Sequence, residues 1–197
     1  MNKQINELLL QALETEMGGV QIYTTALKCV QNKDLKEEWE KYLEQTTHHV
    51  EVMENVFGAL GLDPEQETPG RLVVRHIGES LVKAMEMALQ DGEPKAAELV
   101  AAECVMLAET KDHANWQLMS QLATHSKGAG TEILAGAVEE VEDEEDEHLY
   151  HTKGWARELW IQSLGMQAVL PPPEEEKDVK SAMAQAKAEQ SREQMLK

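Results

Sequence analysis

Six residues combine chemistry with position: Glu16, His49, Glu109, Asp112, Glu145 and His148. Each falls on the stripe of its own segment that otherwise carries apolar side chains, and each lies near the middle of that segment. A carboxylate taken alone into an apolar core is costly and takes up a proton rather than staying charged. Several carboxylates and imidazoles brought to one level of a core are instead the ligand set of a pair of divalent or trivalent ions, because the ions neutralise charge that the core cannot. Glu145 and His148 sharpen the reading, since residues three apart share a helix face and can share an ion. Glu145-Asp-Glu-His148 is the single Glu-x-x-His of the chain, but it falls in the acidic run EEVEDEEDE, where that spacing carries little by itself. A repeat adds weight: Glu16 precedes Tyr23 by seven residues and Glu109 precedes Trp116 by seven. Two segments thus each place an aromatic two turns from a core carboxylate.

Four long segments must position these side chains. Apolar residues recur at spacings of three and four from Asn2 to Gln31, from Asp34 to Leu60, from Pro94 to Gly128, and from about Thr131 to Gly165, the pattern of helices packed lengthwise. Asp34 is the expected N-cap of the second segment, and Gly61 with Asp63-Pro64 its stop. Helices of about 25 to 30 residues are about 40 Å long. Between the second and third lies the stretch from Asp63 to Glu93, too long for a hairpin turn and itself helical in pattern through Leu72, Ile77, Leu81, Met85 and Leu89. One long crossover between the second and third helices is the ferritin-like connectivity, as opposed to simple up-down-up-down. From Pro171-Pro172-Pro173 onward a stiff spacer precedes a Glu/Lys/Gln/Ala-rich helix former. The expected organisation is a four-helix bundle over 1–165 and a spacer with a peripheral or disordered helical tail over 166–197.

Composition agrees with an all-α protein: of 197 residues only eight are aromatic (four Trp, three Tyr, one Phe), too few for a β-sandwich or barrel. The 18 basic and 37 acidic residues leave a net charge of −19, which repels phosphate backbones and argues against a nucleic-acid partner. Cys29 and Cys104 form no CxxC pair and read as buried free thiols. The N-terminal segment resembles neither a signal nor a transit peptide, and no apolar run has the length of a membrane span, so a cytoplasmic protein without a membrane partner is expected.

The segment ETEMGGVQIYTTAL around Glu16 and Tyr23, the Glu109-Thr-Lys-Asp112 helix, the Glu145-x-x-His148 helix and the connectivity resemble the ferritin-like superfamily of dinuclear carboxylate proteins, especially its rubrerythrin-like members. YLEQTTHHVEVMENVFGALG is similar to the YciF-like bacterial stress-protein branch. The resemblance runs from about Asn2 to Leu164. It implies that Glu16 and Glu109 are the terminal carboxylates of two halves, Asp112 an additional third-helix carboxylate, Glu145 with His148 the fourth-helix pair, and His49 the second-helix imidazole. It implies two iron ions, or manganese, and redox handling of dioxygen, peroxide or ferrous iron in stress, of a peroxidase or ferroxidase type. One departure stands out: the family has Glu three residues before the second-helix histidine, where this chain has Thr46. Glu44 or Glu51 is a substitute only if that helix rotates.

The other histidines read differently. His48 is expected as an exposed neighbour of His49, His113 as a residue that enters the core only if its stripe shifts, and His76, His125 and His151 as surface residues. Met53, Met106 and Met119 fit core packing. A contrasting reading is a metal-free bundle whose core polar groups satisfy one another, serving as a structural or interaction module. Storage in a cage fits the long tail and crossover less well than a homodimer formed through a helix face.

Overall fold

Asparagine side chains start the first two helices. In the computed structural model, which describes residues 2–125 and 128–196, Asn2 accepts from the backbone of Gln4 and opens α1 (Lys3–Cys29). Asn32 accepts from the amides of Asp34 and Leu35 and opens α2 (Lys33–Leu60). The cap is therefore Asn32 and not Asp34, which sits in the first turn where its charge favours the positive end of the helix. The crossover carries α3 (Pro69–Asp91), capped by the Thr68 hydroxyl. Then come α4 (Pro94–His125) and α5 (Ala129–Ser163), followed by the short α6 (Pro173–Glu176) and α7 (Ala182–Met195). Among the described residues there is no strand, and no helix is long and apolar enough to cross a membrane.

The four long helices close a ring in which α1 packs on α2, α2 on α5, α5 on α4 and α4 on α1, while α3 lies along α1 and α4. Neighbours in the ring run antiparallel. Across α1 and α4, Glu16 meets Trp116 and Tyr23 meets Glu109; across α2 and α5, Glu38 meets His151 and His48 meets Glu140.

The core inside the ring has three levels. One apolar cluster holds Tyr23, Leu35, Trp39, Val105, Trp155 and Leu159. A second, at the other end, holds Leu9, Leu10, Met53, Phe57, Trp116 and Val141. Between them lies a band of buried polar residues, one group from each long helix: Glu16, then Thr46 and His49, then Glu109 and Asp112, then Glu145 and His148. The band is buried and flanked by apolar side chains on both sides, the environment in which unpaired charge is most expensive.

The residues after α5 fold back on it. Glu174 accepts two bonds from the Arg157 guanidinium, at 2.6 and 2.9 Å, and Val179 and Ala188 pack on Leu149 and Tyr150. Glycine at 154 makes this approach possible, because a Cβ there would stand 2.6 Å from Glu174 Oε2 and 2.9 Å from Pro172 Cβ. Glu158, fully buried, accepts from Arg192 and from the backbone of Val169.

Candidate metal centre

The seven-residue repeats of α1 and α4 become reciprocal once the helices run antiparallel. Trp116, two turns beyond Glu109, donates its indole N–H to Glu16 Oε1 at 2.7 Å, and Tyr23, two turns beyond Glu16, donates its hydroxyl to Glu109 Oε1 at 2.8 Å. Each terminal carboxylate is thus held by one oxygen while its other oxygen, Oε2, remains buried without a hydrogen-bond partner. The histidines are arranged likewise. His49 Nε2 lies 2.8 Å from Glu144 Oε2 and His148 Nε2 lies 3.0 Å from Gln45 Oε1. An acceptor at Nε2 keeps a proton there and makes Nδ1 the atom that would ligate a metal on losing its own proton, the outer-partner arrangement typical of metal-ligating imidazoles. Both Nδ1 atoms face the centre of the band.

The two triads converge on one carboxylate. Glu16, His49 and Glu145 form one set of donors, and Glu109, Glu145 and His148 form the other. His49 Nδ1 is 3.0 Å from Glu145 Oε1 and 3.6 Å from Glu16 Oε2; His148 Nδ1 is 3.4 Å from Glu145 Oε1 and 3.6 Å from Glu109 Oε2. Despite these distances the atoms do not meet in hydrogen-bonding directions. Of twelve buried side-chain polar atoms without a partner among the described residues, eight belong to Glu16, Thr46, His49, Glu109, Asp112, Glu145 and His148. Leaving such atoms unpaired costs about 1–3 kcal/mol each, and more where the group is charged. Adjacent donors around an ion with bonds of about 2.1 Å stand about 3 Å apart, so the spacing suits oxygen and nitrogen ligands of a cation better than it suits a hydrogen-bond network. The two triads bring three carboxylates and two imidazoles, and with Asp112 buried beside them the carboxylate charge would balance two divalent ions.

Electrostatics describes the same convergence from the protons' side. Burial works against the imidazolium of His49, yet the facing carboxylates of Glu145 and Glu16 push it up to about 11; burial is likewise overcome at His148, which Glu109 and Glu145 raise to about 9. Burial would lift Glu145, but the two imidazoles hold it down to about 2. Asp112 is pushed well above the usual carboxylate range by burial and then by the charges of Glu16, Glu145 and Glu109. It is buried beside both triads and belongs to neither.

The remaining candidates lie elsewhere. His113 is nearly buried but turns to Asp146, 3.3 Å away, in the seam between α4 and α5. His48 is exposed and meets Glu140; Glu44, Glu51, His76 and His125 are exposed as well. His151 differs from its surface reading: it is 4 % exposed, with Nδ1 3.1 Å from both the Tyr42 hydroxyl and Glu38 Oε1. The Tyr42 ring in turn packs on His148, their centroids 4.1 Å apart. Glu144 and Gln45 were not distinguished in the sequence, where one is lost in the acidic run and the other is simply the neighbour of Thr46. Cys29 and Cys104 are free and buried.

Comparison with family models, with curated proteins and with solved structures gives no match for this chain.

Proposed function

We propose that the chain is a ferritin-like dinuclear metal protein, with iron as the resident metal and manganese the alternative, that reacts with a small oxidant such as dioxygen or peroxide. The observation that carries the reading is the convergence, at one level of a four-helix ring, of eight unpartnered polar atoms, four of which belong to Glu16, His49, Glu109 and His148, side chains already tied down through their other atoms. Glu16, His49 and Glu145 would hold one ion, Glu109, Glu145 and His148 the other, with Glu145 shared. Asp112 stands by as a further carboxylate.

When bound, a pair of such ions supplies one-electron chemistry toward an oxidant. Every other part of the work belongs to the chain. Glu144 and Gln45 orient the imidazoles, Trp116 and Tyr23 orient the terminal carboxylates, and the two apolar clusters keep water from the band. Antiparallel neighbours and the crossover helix α3 between α2 and α4 further support the ferritin-like arrangement. The reading is tested by anaerobic ferrous titration followed by one equivalent of peroxide or dioxygen. A ligand-to-metal absorption band that saturates with bound iron is expected, and its loss in Glu145→Ala with it. Oxidation no faster than that of free ferrous ion would overturn the redox part.

Thr46 supports a second reading, a metal-free helical bundle used as an interaction module. It occupies the position where the resemblance calls for a carboxylate, and its buried hydroxyl has no partner. On that reading the imidazoles stay protonated against the carboxylates, and chelators leave the melting temperature unchanged.

A further inference from the structure

A cavity between α1, α3 and α4 lies outside the ring and serves none of the residues assigned so far. Its walls include Gly18 and Ile22 of α1, Val74, Gly78 and Leu81 of α3, and Ala108 of α4, with the half-exposed Ile77 and Leu107 at its rim. The polar groups on its lining are all engaged elsewhere. Glu14 is paired with Arg71 and Arg75. The Thr15 hydroxyl donates to the Gln11 carbonyl and accepts from Asn115, and the Lys111 ammonium donates to Asn115. The pocket opens toward solvent past Ile77 and Leu107, and its mostly apolar lining offers a water few of the two to four polar partners it needs to stay. Its volume is about 50 Å³, whereas a cavity of about 150 Å³ takes benzene; the space suits an occupant of one or two heavy atoms.

Glycine keeps the cavity open. Gly18 and Gly78 both sit inside helices, where alanine is the more stable residue. A Cβ on Gly18 would meet nothing within 4 Å, and one on Gly78 would stand 3.8 Å from Gly18 Cα. The cavity also backs on the polar band. Thr15, Ala108 and Lys111 of its lining are the chain neighbours of Glu16, Glu109 and Asp112.

We infer that this cavity is a binding site for a small neutral apolar molecule, dioxygen in the working protein, on the α1–α4 side of the carboxylate cluster. The choice of dioxygen rests on the dinuclear reading, whereas the capacity for an apolar gas does not.

Xenon tests it on the full chain, both as purified and after chelation, with methyl resonances as the readout. Saturable shifts of the Ile22, Val74 and Leu81 methyls under xenon pressure are expected, with selective broadening of the same methyls by dissolved dioxygen. Gly78→Leu should weaken xenon binding at least about tenfold by filling the space, and Gly78→Ala by less. Because Gly78→Ala adds one methyl at ordinary van der Waals distance, it keeps the test open if the leucine variant fails to fold. Gly136→Leu, whose side chain starts in open space on α5, should leave the shifts unchanged. No saturable shift in the native chain, or equal shifts in native and both Gly78 variants, would overturn the proposal. Xenon binding in a chain that takes up no metal on anaerobic reconstitution with ferrous or manganous ion would overturn the dinuclear reading and the assignment to dioxygen while leaving the gas site standing.

Discussion

Glu145 belongs to both donor sets, whereas Glu16 and Glu109 belong to one each, so alanine at these three positions should have unequal consequences. A cation present at about 100 times its dissociation constant stabilises the folded chain by about 2.7 kcal/mol per site. A chain of this size gains about 2–4 °C in Tm per kcal/mol, so two filled sites should raise Tm by about 10–20 °C. Glu16→Ala and Glu109→Ala each remove one ligand from one set and should keep about half of that increment. Glu145→Ala strips both sets and should abolish it. The assay is anaerobic thermal unfolding of each variant with and without ferrous or manganous ion, a chelator reversing the effect. The quantity to read is the metal-induced increment within a variant, because removing one partner of a buried carboxylate–imidazole pair lowers the metal-free stability by about 3–5 kcal/mol on its own. An increment in Glu145→Ala as large as in the native chain would refute the shared carboxylate.

Three further outcomes follow from individual contacts. Trp116→Phe and Tyr23→Phe each leave one carboxylate oxygen without its donor, at Glu16 and Glu109 respectively; each should cost about 1.5–3 kcal/mol in urea unfolding, and the two losses should be similar. At Glu175, burial and then the charge of Glu38 raise the carboxyl from 4.5 to about 7. The native state therefore holds that proton more tightly than the unfolded chain does, and stability falls as pH rises from 4.5 through about 7. Glu175→Gln should accordingly exceed the native chain in Tm above that window, and the difference should vanish below it in thermal melts across pH. Gly154→Val forces a side chain into Glu174 and Pro172, and hydrogen exchange should show α6 and α7 deprotected while α1 and α2 keep their protection.

The helices and the band of polar residues were legible because an apolar stripe of helical period names the interior, and Glu16, His49, Glu109, Asp112, Glu145 and His148 interrupt it. The repeats Glu16/Tyr23 and Glu109/Trp116 were legible as repeats, but their crossing was not. Which aromatic holds which carboxylate depends on α1 and α4 running antiparallel, a fact of packing. His151 escaped for a related reason: its partners Glu38 and Tyr42 lie more than 100 residues away on α2, and nothing local marks it as interior. At the start of α2, Asn32 and Asp34 are both competent caps, and local chemistry does not choose between them. The docking of the tail depends on Gly154 offering no side chain to Glu174, a cue that reads as an ordinary helix glycine until α6 lies against it.

The central claim is that the band is a ligand set, and elemental analysis of the intact chain after anaerobic reconstitution and desalting tests it most directly. The account predicts two equivalents of iron or manganese per chain, with both lost in Glu145→Ala. A native chain that retains no metal, or a Glu145→Ala chain that retains as much as the native one, would contradict it.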